Sequence, residues 1–157
     1  MNNDIEAIRS CKWLFLSETG EPQDNELRLV VSEAGTGSPP SESGLAEEKS
    51  PELRKILSES RQIIHGPRMR AFEITWPTYI AYSVRNESYT TLDEYEKYEG
   101  RNFVKYSTSR YLDFVSKSTF AANDYPGPFS HWGLLCLNHI IVVVSVDEPT
   151  IIVSNDS

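Results

Sequence analysis

The stretch YPGPFSHWGLLCLNHIIVVVSV, residues 125–146, contains no Asp, Glu, Lys or Arg, although 24% of the chain is charged. A helix that crosses a bilayer needs about 20 consecutive apolar residues, and this window is interrupted by two prolines, two glycines and Asn138-His139. The stretch therefore does not indicate a membrane span. Because Asn tolerates the backbone conformation of a tight turn, the sequence predicts a β-hairpin with strands at 131–137 and 140–146.

The second strand of this hairpin, IIVVVSV, lacks the alternation of apolar and polar residues that marks a half-exposed strand. A strand that is apolar on both faces is covered on both faces, so we predict that residues 140–146 lie centrally in a sheet. Other runs that are rich in β-branched and aromatic residues predict further strands. These runs cover 12–18, 26–33, 69–76, 78–85, a segment from Asn102, and an edge strand at 150–153.

Three segments have patterns that are typical of helices. An N-cap serine, a proline and an apolar stripe predict an amphipathic helix at 51–64. A capping-box pattern at 91–94 predicts a short helix that Gly100 would end, and the apolar spacing after Ser109 predicts another. Residues 34–50 are rich in Gly, Pro and Ser, which predicts a flexible surface loop.

Together these elements predict the α+β class. The architecture we expect is a mainly antiparallel, curled sheet of six to eight strands, covered by the 51–64 helix and one or two short helices. A chain of 157 residues is long enough to bury about two-thirds of its unfolded surface in one core. We therefore predict a single globular domain over residues 1–157.

The chain is acidic, with a formal net charge of -8 and a pI of about 4.9. Because like charges repel, this acidity disfavours binding to nucleic acid and to anionic membranes, and it favours a basic protein partner. The first residues place acids before a short apolar run, unlike a secretory signal peptide, so we predict a soluble, cytoplasmic protein. In size and charge alone the chain is similar to immunity proteins of toxin systems, with no shared motif.

The sequence contains no recognisable catalytic or metal-binding pattern. In HWGLLCLNH, His131 and Cys136 have opposite parity on a strand and His139 lies at the turn, so the three side chains do not converge on one ion. The GTGSPP stretch lacks the Lys-Ser/Thr pair of a phosphate loop. We therefore predict no metal and no cofactor, and the sequence favours a non-enzymatic protein.

Aromatic residues are concentrated in the middle of the chain, where all eight tyrosines lie between residues 72 and 132. Tyr and Arg are enriched at binding hot spots because they combine large contact area with directional hydrogen bonds. The candidate binding residues are Tyr82, Arg85, Glu87, Tyr106, Arg110 and Tyr111. The alternative is that the tyrosines are boundary residues, with the ring in the core and the hydroxyl in water.

These patterns leave three functions open. The leading hypothesis is a non-enzymatic binding protein whose acidic, tyrosine-bearing surface engages a basic protein partner. The second is a small-molecule or carbohydrate-binding domain, which would have a deep tyrosine-lined pocket with an arginine at its rim. The third is an enzyme built from dispersed carboxylates and arginine, which requires a cleft holding two acids in unequal environments.

Overall fold

The computed structural model describes residues 3–36, 63–65 and 69–155. The α-helices in this part of the chain are α1 (Asn3–Ser10) and α2 (Arg110–Ser118), and a single 3-10 turn spans Glu87–Tyr89. Neither helix is long and apolar enough to cross a membrane. The strands are β1 (Trp13–Gly20), β2 (Leu27–Thr36), β3 (Ile63–His65), β4 (Arg70–Trp76), β5 (Ala81–Asn86), β6 (Lys97–Arg101), β7 (Phe103–Thr108), β8 (Ser130–Leu135), β9 (His139–Ser145) and β10 (Thr150–Asn155).

The ten strands of the described residues form two antiparallel sheets, where the sequence predicts one curled sheet of six to eight strands. The first sheet has the order β1-β2-β4-β10, with β3 paired to the end of β2. The second sheet has the order β5-β9-β8-β7-β6. Consecutive strands β4 and β5 belong to different sheets, because Pro77 cannot extend the hydrogen-bonded ladder and the chain crosses over at 77–80. The predicted α+β class is confirmed, with strands in the majority.

The hydrophobic core takes side chains from both sheets and from Ile8 of α1. Phe103 joins the two halves, since its ring stacks on Trp132 with centroids 5.5 Å apart and lies 6.3 Å from Trp76 of the first sheet. Each large apolar side chain that is buried in this way stabilises the fold by about 1.5–3 kcal/mol. The main contributors are Leu14, Leu29, Val31, Phe72, Ile74, Trp76, Phe103, Trp132, Leu134, Ile141 and Val143.

The C-terminal hairpin and the interior position of its second strand are confirmed. β8 pairs with β9, and β9 lies between β5 and β8. One face of β9 supplies the core, while Ile140 and Val144 are buried on the other face. On that face Val144 pairs with His131, whose ring lies 5.5 Å from the ring of Tyr111. Helix α2 therefore packs against the outer face of the second sheet at His131.

The hairpin turn lies one residue earlier than the sequence predicts. Its central residues are Leu137 and Asn138, and the Cys136 N–H donates a hydrogen bond of 2.9 Å to the His139 carbonyl. Asn138 does not have the positive φ that the prediction assumed, which among the described non-glycine residues belongs to two other asparagines. Asn138 therefore has a different role in the fold.

The side chain of Asn138 binds the outer edge of β1. The Leu16 N–H donates to Asn138 Oδ1 at 2.9 Å, and Asn138 Nδ2 donates to the Leu16 carbonyl at 3.0 Å. Beside this pair, the Leu137 N–H donates to the Leu14 carbonyl at 2.8 Å. The turn of one sheet thus satisfies backbone groups that an edge strand of the other sheet would leave open.

Replacing Asn138 with alanine should lower the free energy of unfolding by about 1–2 kcal/mol, because both side-chain hydrogen bonds to Leu16 are lost. Urea unfolding followed by circular dichroism measures the change. Asn123→Ala is the matched control, because Asn123 is exposed in the loop after α2 and should change stability by less than about 0.5 kcal/mol. Equal losses in the two variants would contradict the role of Asn138.

Two of the predicted segments fall largely outside the described residues. The amphipathic helix expected at 51–64 is described only at Ile63 and Ile64, and these residues belong to β3, so the helix does not extend to that point. Of the flexible loop expected at 34–50, only residues 34–36 are described, and they form the end of β2.

The capping-box pattern at 91–94 does not begin a helix. The chain makes a single turn there and enters β6 at Lys97, and Gly100, with φ of 100°, lies at the end of the β6–β7 hairpin. The prediction was wrong because residues 97–101 pair with β7 through a tight turn at Asn102, and this hairpin outweighs the helix signal. The helix predicted after Ser109 is confirmed, and the Leu112 N–H donates to Ser109 Oγ at 2.9 Å.

Candidate functional site

An open cleft of about 350 Å³ lies between the hairpin of β8 and β9 and residues 87–96. Its floor is apolar and is formed by Leu135, Ile140 and Tyr106. Its volume is at the lower end of the range for ligand sites, which is about 300–1,000 Å³. The remaining lining residues are Arg85, Thr90, Thr91, Leu92, Asp93, Glu94, Glu96 and Tyr98.

Residues 87–96 form one wall of the cleft, and short-range hydrogen bonds shape the start of this segment. Asn86 Oδ1 accepts from the Ser88 N–H at 3.0 Å, and the Thr90 N–H donates to the Glu87 carbonyl at 2.9 Å. The Glu87 N–H donates to the Asn138 carbonyl at 3.3 Å, which ties the segment to the hairpin turn. The wall is therefore anchored where it leaves β5.

Helix α2 holds the other end of this wall. Arg110 Nε donates to Asp93 Oδ2 at 2.6 Å, and the Arg110 guanidinium lies 4.9 Å from the centre of the Tyr95 ring. The Tyr95 hydroxyl donates a hydrogen bond to the Asp113 carboxylate. Because Arg110 donates to it, the pKa of Asp93 is lowered from its ordinary value. These contacts fix the acidic wall against α2.

Tyr106 is the aromatic part of the floor. It is buried on the outer face of β7, where its ring stacks on His131 with centroids 4.2 Å apart and lies 5.4 Å from the ring of Tyr98. A Cβ on Gly133 would lie 2.8 Å from this ring, so the glycine makes room for it. Burial, followed by the nearby charge of Glu96, raises the pKa of Tyr106 to about 12. The hydroxyl therefore stays protonated at neutral pH.

Glu96 is a half-buried carboxylate that the sequence analysis did not select. Burial raises its pKa most, and the negative charge of Asp93 raises it further, while Arg85 and Arg110 act in the opposite direction. The acids and tyrosines of DEYEKY, residues 93–98, are the signal in the sequence that could have identified Glu96. The capping-box pattern instead predicts a short helix over this segment.

The structure brings some of the predicted binding residues together and separates others. Arg85 and Tyr106 both line the cleft. Arg110 supports the cleft through Asp93, and Tyr111 packs over His131 beneath it. Tyr82 is on the opposite face of its sheet, packed against the core and edge-on to Tyr79 with ring centroids 4.8 Å apart. The remaining candidate, Glu87, lies in a neighbouring depression.

That depression, which we call the apolar lobe, has a volume of about 300 Å³. It shares Thr90, Leu135 and Ile140 with the cleft, so the two depressions are adjacent. Its other lining residues are Trp13, Leu14, Glu87, Cys136 and Leu137. Among the described residues that line it, Glu87 is the charged one, whereas several charged residues line the cleft.

Residues that could hold a metal or act as nucleophiles are dispersed or buried. No group of three His, Cys, Asp or Glu side chains within the described ranges could hold a metal ion. Burial raises the pKa of the Cys136 thiol to about 12, and burial raises that of the Cys11 thiol to about 11. Neither thiol forms a disulfide. Because their pKa values are raised, both thiols are protonated at neutral pH, which disfavours nucleophilic chemistry at either residue.

Comparison of the chain with protein-family models, with curated proteins and with solved structures found no match.

Proposed function

We propose that this chain is a non-enzymatic binding protein whose cleft receives a basic side chain of a protein partner. The observation that carries the proposal is the combination of carboxylates, tyrosines and an apolar floor in one open cleft. Carboxylates pair with ammonium and guanidinium groups, and tyrosine faces attract the same cations. The cleft therefore has the chemistry that a lysine or arginine side chain requires.

The charge of the wall supports a cationic ligand. Of the acids in residues 87–96, three line the cleft, Asp93, Glu94 and Glu96, and the segment contains no Lys or Arg. Arg110 compensates Asp93, and Arg85 is the basic residue that lines the cleft. The wall thus keeps an excess of negative charge, which would speed the approach of a basic partner and weaken as salt is added.

Exposed apolar groups beside the cleft support a protein as the partner. Leu92 is fully exposed, and Tyr89 and Tyr98 are 78% and 52% exposed. Side chains of this kind bury large areas at protein interfaces, and tyrosine is common among the residues that dominate their binding energy. An open cleft with such a rim fits a protruding side chain of a larger partner better than it fits an enclosed small molecule.

Arg85 favours a second candidate function, the binding of a small molecule that carries an acidic group. Its guanidinium has no hydrogen-bonded carboxylate among the residues that the structure describes, and it lies in the same cleft as Tyr106. A ligand carboxylate or phosphate could accept hydrogen bonds from it. The expected result for this alternative is that Arg85→Gln abolishes binding, whereas in the leading proposal it removes a repelling charge.

The enzyme hypothesis has weaker support, although the cleft holds two acids in unequal environments. The pKa of Asp93 is lowered by Arg110, and that of Glu96 is raised by burial. Both oxygens of Asp93 accept hydrogen bonds, from the Arg110 side chain and from the Tyr95 N–H. Because Asp93 is engaged in holding the wall, a binding function accounts better for the arrangement.

Replacing Glu96 with glutamine should weaken the binding of short arginine- or lysine-containing peptides about tenfold, because a desolvated carboxylate partner is lost. Fluorescence anisotropy with labelled peptides, at low and at moderate salt, measures the affinity. Glu148→Gln is the matched control, since Glu148 is exposed in the turn after β9 and does not line the cleft.

The control variant should bind as the unmodified protein does. If basic peptides bind no better than peptides in which alanine replaces the basic residue, the proposed function is wrong. If Glu96→Gln and Glu148→Gln weaken binding equally, the attraction comes from overall charge and the cleft is not the site.

A further inference from the structure

We infer that the cleft and the apolar lobe act as one groove for an extended segment of the partner. In this arrangement the cleft takes a basic residue, and the apolar lobe takes a bulky apolar residue of the same segment. The inference rests on the proposed function and adds a sequence requirement to it.

The cleft and the apolar lobe adjoin each other. Thr90, Leu135 and Ile140 line both of them, so the two depressions meet at these residues. The groove passes along the end of the β8–β9 hairpin, from the first residues of β1 to the wall at 87–96. A ligand longer than one side chain can therefore contact both parts without a change in the fold.

The cleft and the apolar lobe differ in the chemistry of their lining residues. The apolar lobe is lined by Trp13, Leu14, Cys136 and Leu137, with Glu87 as its charged lining residue. Trp13, at the start of β1, is half-buried, and the Lys12 ammonium lies 4.5 Å from its ring centre. Binding to such a surface is favoured when an apolar side chain of the ligand is removed from water. The apolar lobe should therefore select for apolar side chains and not for charged ones.

We expect the bound segment of the partner to be extended. Side chains at positions i and i+2 of an extended chain point to the same side and are separated by about 7 Å. A segment in this conformation presents two residues to one surface, which matches a groove with two unlike parts. Anchoring at two places also explains how an open cleft can hold a segment, since each anchor is weak alone.

The test uses short peptides in which one position is fixed as arginine and each other position is varied through the amino acids. We expect the unmodified protein to prefer bulky apolar residues at one position near the arginine, with about tenfold tighter binding than for alanine there. Trp13→Ala should abolish this second preference and keep the preference for arginine. Glu96→Gln should abolish the preference for arginine and keep the preference for an apolar residue at the second position.

Leu137→Ala, in the hairpin turn, is the second variant for the apolar lobe in case Trp13→Ala does not fold, and thermal unfolding checks each variant. Phe120→Ala is the matched control, because Phe120 is 85% exposed and lines neither part of the groove. A preference for arginine with no preference at any second position overturns the inference and keeps the proposed function. No preference for arginine or lysine at all overturns the proposed function itself.

Discussion

Replacing Phe103 with alanine should lower the free energy of unfolding by about 3–5 kcal/mol, the range for a fully buried phenylalanine. Phe103 is completely buried, and its ring contacts Trp132 of its own sheet and Trp76 of the other sheet. The variant therefore removes apolar area and also leaves a cavity where the two sheets meet. Urea unfolding followed by tryptophan fluorescence measures the loss, because two of the reporting indoles are direct neighbours.

Phe120→Ala is the matched control for this experiment. Its side chain is 85% exposed, so the change should be within about 0.5 kcal/mol. Phe103→Leu should give an intermediate loss, since it retains most of the apolar volume. If Phe103→Ala lowers the free energy of unfolding by no more than Phe120→Ala does, the two sheets do not pack against each other through Phe103.

Lowering the pH from 6.5 to about 4 should remove about 3 kcal/mol of stability through His131 alone. His131 is buried, it lies between Tyr106 and Tyr111, and its Nδ1 is 2.6 Å from Ser109 Oγ. Burial lowers its pKa from the ordinary 6.5 to about 4. In that window the unfolded chain binds a proton that the folded chain does not, so stability is complete above pH 6.5 and falls as the pH decreases.

The experiment compares the unfolding free energy of the protein and of His131→Phe at several pH values. The variant keeps an aromatic ring beside Tyr106 and cannot be protonated, so its stability should be almost constant between about pH 5 and 6.5. Carboxylates with lowered pKa, such as Glu33 beside Arg70, lose their contribution only at lower pH and are present in both proteins. Parallel curves for the two proteins in this window would contradict the burial of a neutral His131.

The sequence predicted most strands because their patterns are local, but it could not assign them to sheets. The alternating runs at 69–76 and 78–85 look alike, although they become neighbouring strands of different sheets. The prediction that the charge-free run at 140–146 lies inside a sheet was confirmed, because a strand that is buried on both faces is apolar along its whole length. The turn at Asn138 was misinterpreted because its function depends on Leu16, which is 122 residues away in the chain.

The candidate site was predictable only in part, for a similar reason. Arg85 and Tyr106 were selected as residue types suited to binding, and both line the cleft. Glu96 was missed because the capping-box pattern before it has a helical interpretation that is locally consistent. The pairing of β6 with β7 through the turn at Asn102, which the sequence analysis did not predict, places the acidic segment beside the β8–β9 hairpin.

The two hydrogen bonds between Leu16 and Asn138 also constrain the order in which the chain folds during synthesis. β1 leaves the ribosome before the β8–β9 hairpin does, and the amide that completes its outer edge is made 122 residues after Leu16. Contacts between such distant positions slow folding, because a large loop must close before they form. A nascent chain that has not yet formed the β8–β9 hairpin therefore presents β1 as an open edge, a state in which chaperone protection or pairing with another chain becomes important.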